Sequence, residues 1–296
     1  MIAPGRGGLG GGMRETILVT GATGNVGAAL IAALRGGEAR VVAAVRDVAR
    51  ARVRLGDGLD YVPFDFADPA TFAATFVGVD RLFLVRPPEL ADVRRQIAPA
   101  IDAARRAGVR HVVFLSLLGV ERNPIVPHYR IERALEGSGM AWTFLRASYF
   151  MQNLDTTHRD DVRRGEIVVP AGRGETSFVD VRDIAAVAAL ALTEPGHEGR
   201  GYPLTGARAL SYFEVARQLT AVLGRPIAYR APSLLAYARH MRAAGHPWPF
   251  ILVTSTLYTT ARLGLAGGIT DDIARLLGRP PGTLRQYIED YRRAWE

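Results

Sequence analysis

Cysteine is absent from the sequence, which excludes disulfide bonds, thiolate metal sites and cysteine nucleophiles in one step. The absence does not indicate a compartment, because a chain without cysteine can work in any of them. It restricts the chemistry of the protein rather than its location.

Lysine is absent as well, so all 37 basic residues are arginine. A Walker-type nucleotide site and a Schiff-base enzyme both need a lysine amino group, and so does a catalytic Tyr-xxx-Lys pair. All three are therefore excluded. Codon bias in a GC-rich genome is an alternative to a functional reason for this composition, and the exclusion holds with either.

Long apolar runs are also missing. No stretch reaches the roughly 18 to 20 apolar residues that a membrane span requires, and the half-glycine segment 1–12 lacks the apolar core of a secretory signal. We therefore expect a cytoplasmic protein without a membrane partner. Segment 1–12 is predicted to be a flexible tail, or to lie upstream of a start at Met13.

Positive charge is in excess, with a formal net charge of +8. The arginines are nevertheless spread along the chain and interleaved with acidic residues, as in RRGEIVVPAGRGE. Such dispersed charge is typical of a solvated surface, and no helix-turn-helix, zinc ligand set or aromatic RNA-binding strand accompanies it. The sequence indicates neither a nucleic-acid partner nor a metal site.

The first half of the chain alternates short apolar strands with helices. The runs TILVT, VVAAV, LDYVPFD, DRLFLV, HVVFLSL and AWTFLRAS are separated by helical segments that include 28–34, 48–55, 92–107 and 128–136. Near-continuous apolar strands between helices indicate a parallel sheet covered on both faces. The predicted fold class is α/β, a Rossmann-type doubly wound parallel sheet with a smaller, mostly helical C-terminal substrate lobe.

The second half is less regular. Residues 13–155 are predicted to form a dinucleotide-binding lobe, and 156–296 a substrate-binding lobe partly interleaved with the sheet, with 232–268 as a helical lid. Thr270 and Thr283 stand where helix N-caps are expected. Asp183 precedes an apolar helical run and is predicted to cap its first turn.

A glycine turn, GATGNVG, directly follows the first strand and opens a helix. In this context Gly21 permits the tight turn, Gly24 lets the backbone approach a pyrophosphate, and Gly27 lets the helix lie close to the strand. A glycine-rich turn without a ligand is the alternative. The predicted contacts of the cofactor in this turn are Gly21, Thr23, Gly24, Asn25, Val26 and Gly27.

Arg46 ends the second strand, 19 residues after Gly27. In dinucleotide-binding folds an acid about 20 residues beyond the glycines selects NAD, whereas an arginine accommodates the 2′-phosphate of NADP. A guanidinium fork matches phosphate geometry, so NADP(H) is preferred. Arg46 could instead be a surface residue, and the adjacent Asp47 leaves NAD(H) as a cofactor too.

With GATGNVG, VRD, FLVRPP, HVVFLSLLG, SGMAWTFLRASYFMQN and SFVDVRDIA in this order, the chain resembles the NmrA-like branch of the atypical short-chain dehydrogenases/reductases. The likeness runs from about residue 14 to 295. It implies a Rossmann lobe that carries the dinucleotide and a smaller lobe that closes a substrate cleft. The branch includes quinone reductases, triphenylmethane reductase and NADP(H)-sensing regulators without catalytic activity.

The resemblance also implies roles for single residues. Asp65 and Phe66 would lie near the adenine, and Leu84, Val85 and Arg86 would line the cofactor after the fourth strand.

Ser116 occupies the place of the catalytic serine of ordinary short-chain dehydrogenases and would lie near the cofactor, or it only caps its strand. The positions of the Tyr-xxx-Lys pair are occupied by His128 and Glu132. The nearest tyrosine, Tyr129, comes one residue after the position of the catalytic tyrosine. The ordinary catalytic tetrad is therefore absent.

Without the tyrosine and lysine, simple alcohol dehydrogenation is disfavoured, because that reaction needs a general acid. A quinone or polycyclic aromatic ketone is an easier acceptor. His128 is the candidate acid or orienting group, or a solvent-exposed helix-start residue. Tyr149, Phe150 and Asn153 are predicted to lie at the floor of the cleft, where the two rings would contact both cofactor and substrate. The alternative is that the two rings are ordinary residues of the hydrophobic core.

The leading functional hypothesis is an NADPH-dependent reductase of such an aromatic acceptor, with tailoring of an aromatic polyketide as one possible setting and an oligomer as one possible assembly. The alternatives are a non-catalytic NADP(H)-sensing regulatory protein and a dinucleotide-binding oxygenase that acts on an aromatic substrate.

Overall fold

The structure is a computed structural model that describes residues 14–296, so the predicted N-terminal tail lies outside the described residues. The strands are β1 (Thr16–Val19), β2 (Arg40–Val45), β3 (Asp60–Pro63), β4 (Arg81–Leu84), β5 (His111–Leu117), β6 (Ala141–Ala147), β7 (Tyr149–Phe150), β8 (Glu166–Val168), β9 (Glu175–Val179), β10 (Arg200–Leu204), β11 (Ala209–Ser211) and β12 (Ala228–Arg230).

The α-helices are α1 (Asn25–Leu34), α2 (Val48–Leu55), α3 (Phe72–Phe76), α4 (Ala98–Arg106), α5 (Pro127–Glu136), α6 (Arg159–Arg163), α7 (Val181–Thr193), α8 (Tyr212–Leu223), α9 (Leu234–Ala243), α10 (Trp248–Arg262), α11 (Asp272–Leu277) and α12 (Leu284–Asp290). A π-helical turn, Val93–Ile97, precedes α4, and the 3-10 turn Met151–Asn153 follows β7. No helix within 14–296 is both long and apolar enough to cross a membrane.

Seven strands form the central sheet in the order β3-β2-β1-β4-β5-β6-β10, and every neighbouring pair is parallel. This confirms the predicted doubly wound α/β fold. The strand order reverses between β1 and β4, and ligands of such sheets bind in the crevice outside the carboxyl ends of the strands at that point.

Alternate side chains of the sheet enter two separate cores. On one face Ile17 and Val19 pack in a core with α1 and α7. On the other face Leu18 and Leu82 belong to a core shared with α3, α4 and α5. Helices therefore cover both faces, which is why the strands are apolar along their whole length.

The second half of the chain contributes to both lobes. β10 and α7 complete the central sheet and one of its cores. Two small sheets, β11-β9-β7 and β12-β8, pack with α8, α9, α10 and α12 around a third core. Fully buried Tyr212, Tyr237, Tyr258 and Tyr287 lie in this core.

Several local predictions are confirmed and two are wrong. The helix 48–55 has the predicted limits, and Thr283 caps α12 by accepting a hydrogen bond from Gln286 N. Thr270 is not a cap: its hydroxyl donates to Pro203 O at 2.6 Å, which ties the loop before α11 to β10.

The predicted cap of α7 by Asp183 is also wrong. Asp180 caps α7, accepting from Arg182 N at 2.8 Å. Asp183 lies within the first turn, almost fully buried, and holds a distant segment: it accepts from Gly282 N at 2.7 Å and pairs with Arg279 at 2.8 Å.

Candidate functional site

The glycine turn follows β1 at the reversal of strand order. Gly21 has φ of 60°, a conformation that glycine adopts without strain, and its carbonyl accepts a hydrogen bond from Gly24 N at 2.8 Å. A Cβ atom on Gly27 would lie 2.3 Å from Gly21 O. The turn and the first turn of α1 are therefore in direct backbone contact, which only glycine at this position allows.

The N-terminus of α1 is suited to a phosphate. Its N-cap residue, Gly24, has no side chain to accept from the first amides, and the first turn contains no acidic residue. The amides of a helix N-terminus attract anions. Asn25 is exposed, Thr23 is partly exposed and Val26 is buried beneath them, so the predicted contacts of this turn come from its backbone and its outer side chains.

Thr20 connects the two strands at the reversal point. Its hydroxyl donates to Phe83 O at 3.1 Å and accepts from Val85 N at 2.8 Å. Val85 in turn packs directly against Gly21: a Cβ atom added to Gly21 would lie 3.0 Å from the Cβ atom of Val85. The ends of β1 and β4 are thereby held together at the crevice.

Arg46 extends from the end of β2 with 73% of its side chain exposed, and its nearest acidic partner is Glu89 at 3.8 Å. Asp47 is engaged differently, because its carboxylate accepts from Arg50 N at 2.9 Å and caps α2. The arginine side chain is therefore available to a ligand, whereas the neighbouring carboxylate has a structural partner.

The residues after β3 and β4 divide into buried and outward-facing ones. The Phe66 ring is buried edge-on against Phe64 at 4.7 Å, and Leu84 is buried in the same core. Asp65 is partly exposed and accepts from Ala67 N at 2.9 Å. The side chains of Phe66 and Leu84 thus face the core, so a cofactor contact at either residue would use its backbone.

Ser116, at the end of β5, belongs to a buried polar network. Its hydroxyl donates to Glu132 Oε1 at 2.7 Å, and Arg146 of β6 donates to both carboxylate oxygens of Glu132, from Nε at 3.1 Å and from Nη2 at 2.8 Å. Ser116 and Glu132 are almost fully buried. Glu132 therefore clamps β5, α5 and β6 together.

His128 lies in the first turn of α5 and stacks on Phe114 with ring centroids 5.8 Å apart. Its Nδ1 is buried and has no hydrogen-bond partner among residues 14–296. Burial, and secondarily the charge of Arg86, lowers the pKa of His128 to about 3. The imidazole is neutral at physiological pH, so it can donate or accept a hydrogen bond but holds no extra proton for general-acid catalysis.

Tyr149 and Phe150 of β7 face different cores. Phe150 packs against the core that contains Val19 and α1. The Tyr149 hydroxyl instead forms a hydrogen bond with the Tyr258 hydroxyl at 2.6 Å. The Tyr258 hydroxyl also forms a hydrogen bond with His158 Nε2 at 2.6 Å. Burial raises the pKa of Tyr149 and lowers that of His158 to about 4. Both groups are therefore neutral.

Asn153 is partly exposed at the end of the 3-10 turn that follows β7. The predicted floor residues thus begin at the carboxyl end of β6, beside the crevice.

The sequence prediction missed Arg146 and the buried pair of Tyr258 with His158. Arg146 had a signal, since a charged residue inside the apolar run AWTFLRAS requires a buried partner. Tyr258 and His158 are 100 residues apart, and no local pattern connects them. Within the described residues no group of three or more His, Asp or Glu side chains could hold a metal ion.

Comparison with protein families finds one match over most of the chain: the model of the NmrA-like family matches residues 13–252. Among curated proteins, an NAD(P)H azoreductase from Xenophilus azovorans is 36% identical over 285 residues, which cover 94% of this chain and 99% of the relative.

Two solved structures are similar over nearly their whole length. The triphenylmethane reductase of Citrobacter sp., complexed with NADP(H), has a TM-score of 0.81 and 29% identity, covering 93% of this chain and 99% of that protein. An NADPH-dependent quinone oxidoreductase from Escherichia coli, complexed with NADPH, has a TM-score of 0.83 and 28% identity with the same coverage.

Proposed function

The chain belongs to the NmrA-like family, and on that basis we propose that it is an NADPH-dependent reductase that transfers hydride to a quinone or a polycyclic aromatic ketone. According to their names, the relatives described above reduce azo compounds, triphenylmethane compounds and quinones. These acceptors are conjugated systems in which the added electrons can be delocalised. Tailoring of an aromatic polyketide is one reaction of this class.

The residues at the crevice fit NADP(H). The contact between Gly27 and Gly21 leaves backbone amides at the start of α1 for the pyrophosphate. Arg46 follows β2 with a largely exposed guanidinium, at the position where an arginine accommodates a 2′-phosphate. Two solved relatives of similar fold were crystallised with this dinucleotide. When bound, NADPH supplies the hydride.

One observation carries the choice of acceptor: Glu132, at the position that the resemblance assigns to the lysine, is paired with Arg146, and neutral His128 stands at the position that it assigns to the tyrosine. Neither group delivers a proton at neutral pH. Hydride transfer alone gives an anion, which must be stable until water protonates it. The delocalised hydroquinone monoanion formed from a quinone meets this requirement, whereas a simple alkoxide does not. His128 orients the acceptor by a hydrogen bond, and Ser116 acts through Glu132 by holding α5 in place.

The test is to follow NADPH oxidation with a panel of naphthoquinones and anthraquinones, with and without oxygen. His128→Ala is expected to lower kcat/KM roughly tenfold, the effect of about one lost hydrogen bond, with little change in the Kd of NADPH. Tyr129→Phe, one position along α5, is the control and is expected to leave both values unchanged.

Two results would contradict the proposal. Tight dinucleotide binding without oxidation by any acceptor would favour the NADP(H)-sensing alternative. NADPH consumption that stops when oxygen is removed would favour the oxygenase.

A further inference from the structure

Arg86 follows β4 by two residues and folds back over its own loop. Its Nη1 donates to the carbonyl oxygens of Pro87, Pro88 and Leu90 at 2.8, 3.0 and 2.8 Å. These three bonds place the guanidinium at the carboxyl edge of the sheet, beside the reversal point between β4 and β1. The side chain is therefore held in one position before any ligand binds.

The charge of Arg86 has no directly bound carboxylate. Within residues 14–296 no carboxylate forms an ion pair with it, and the nearby Glu89 pairs at 3.8 Å with Arg46. Burial lowers the pKa of Arg86, and the charge of Glu89 opposes this without reversing it. Carbonyl oxygens accept hydrogen bonds but bring no negative charge. Arg86 Nε is buried without an acceptor in the described part of the chain. Burying a cation that has an unused hydrogen-bond donor costs free energy, and a bound anion would offset that cost.

A second unused polar group lies near Arg86. His128 Nδ1 is buried and unpaired, and the charge of Arg86 contributes to the lowered pKa of this histidine. The histidine stacks on Phe114, which belongs to the core shared with α4 and α5. Arg86 donates to the carbonyl oxygen of Leu90, whose side chain packs against the same core. The two groups therefore lie on the α5 side of the sheet, where the proposed acceptor would bind.

We propose that Arg86 is a specificity-determining residue that binds an anionic group on the acceptor, such as a carboxylate, sulfonate or phosphate. The inference rests on the proposed reductase function and defines its substrate class: a conjugated acceptor that bears a negative charge beside the carbonyl or ring that accepts hydride. A guanidinium matches the geometry of these oxyanions.

The cofactor carries phosphates as well, and they are the other source of the same chemistry. The glycine turn and α1 already offer unpaired amides to the pyrophosphate, and α1 packs on the opposite face of the sheet, with Ile17 and Val19. Arg46 is placed for the 2′-phosphate. The arrangement therefore leaves Arg86 for the acceptor.

Binding distinguishes the two sources without any turnover. Naphthalene-2-sulfonate and uncharged 2-naphthol are titrated by calorimetry into the protein saturated with NADP⁺. Arg86→Gln is expected to weaken sulfonate binding roughly 10- to 100-fold, as for a lost hydrogen bond to a charged group, and to leave 2-naphthol binding unchanged. Arg86→Lys keeps the charge and is expected to retain part of the preference. Arg122→Gln removes the same charge from the exposed surface and is the control.

Turnover gives the second measurement. The ratio of kcat/KM for 1,2-naphthoquinone-4-sulfonate over 1,2-naphthoquinone is expected to fall at least tenfold in Arg86→Gln and to stay unchanged in the control Arg122→Gln. Equal sulfonate and naphthol binding in the wild type would overturn the inference, and so would a sulfonate affinity that Arg86→Gln leaves unchanged. A Kd of NADPH that rises instead would assign Arg86 to the cofactor. If no quinone is reduced while the sulfonate preference is present, the reductase proposal fails and the anion site remains.

Discussion

At the scale of single residues, we propose that the choice of dinucleotide depends on Arg46. Its guanidinium is largely exposed and only loosely paired with Glu89, while Asp47 is occupied as the cap of α2. A ligand phosphate can therefore replace the Glu89 contact at little cost, since exposed ion pairs contribute roughly 0 to 1 kcal/mol. The residue type was visible in the sequence, whereas its availability depends on the partners that surround it.

Arg46→Ala is expected to raise the Kd of NADPH roughly tenfold or more, because a charge-assisted pair with the 2′-phosphate is lost. The Kd of NADH should barely change. Titrating each nucleotide by fluorescence checks this, with Arg50→Ala on α2 as the matched control. Wild-type protein that binds the two nucleotides equally well would rule out this role for Arg46.

At the scale of elements, a single carboxylate holds three of them together. Glu132 of α5 accepts from Ser116 of β5 and from Arg146 of β6, and its side chain is fully buried. Hydrogen bonding to this carboxylate raises the pKa of Arg146. Removing one partner of a buried pair leaves the other charge uncompensated, so the start of α5 with His128 depends on this clamp.

Glu132→Ala is expected to reduce the free energy of unfolding by about 3 kcal/mol, near the lower end for breaking a buried pair, because Arg146 is itself 20% exposed. The control is Glu136→Ala on the same helix, whose pair with Arg133 is much more exposed and should cost less than about 1 kcal/mol. Urea unfolding of both variants measures the difference. Equal losses would show that the network is not a structural clamp.

At the scale of the whole molecule, three buried histidines in different parts of the fold oppose protonation. Burial lowers the pKa of His111 in β5 to about 4, that of His128 in α5 to about 3, and that of His158, before α6, to about 4. Each has an Nδ1 without a partner within residues 14–296. All three are neutral in the folded protein across the neutral range.

The stability that these histidines contribute is complete above about pH 6.5, their unfolded pKa. It is lost as the pH falls from there through the folded values, because the unfolded chain binds protons that the folded chain does not. The free energy of unfolding is therefore expected to decrease on acidification, with at most roughly 1.4 kcal/mol per pH unit from each histidine.

Urea unfolding between pH 7.5 and 4.5 measures this slope. His128→Gln should reduce this slope by up to roughly 1.4 kcal/mol per pH unit relative to the wild type. His246→Gln, which changes a partly exposed histidine stacked on Phe250, is the control and should leave the slope unchanged. A wild-type slope that His128→Gln does not alter would show that folding does not lower the pKa of this histidine.

The sequence alone determined the parallel α/β sheet, the glycine turn and the absence of the Tyr-xxx-Lys pair. These features are local: apolar strands alternate with helices, the turn requires glycine within a few residues of the strand, and a missing lysine cannot be supplied by folding. The limits of α2 and the cap of α12 were predictable for the same reason, since caps and helix periodicity act over a few residues.

The tertiary structure decided which polar groups are paired. Thr270 and Asp183 fitted the local pattern of a cap. Their side chains instead form hydrogen bonds with distant residues, on β10 for Thr270 and within 279–282 for Asp183. The same holds for Glu132, which folding joins to Arg146, and for Arg86, which it leaves without an ion pair in the described chain. Burial and distant partners set the charge and availability of a side chain, and neither is a property of the neighbouring sequence.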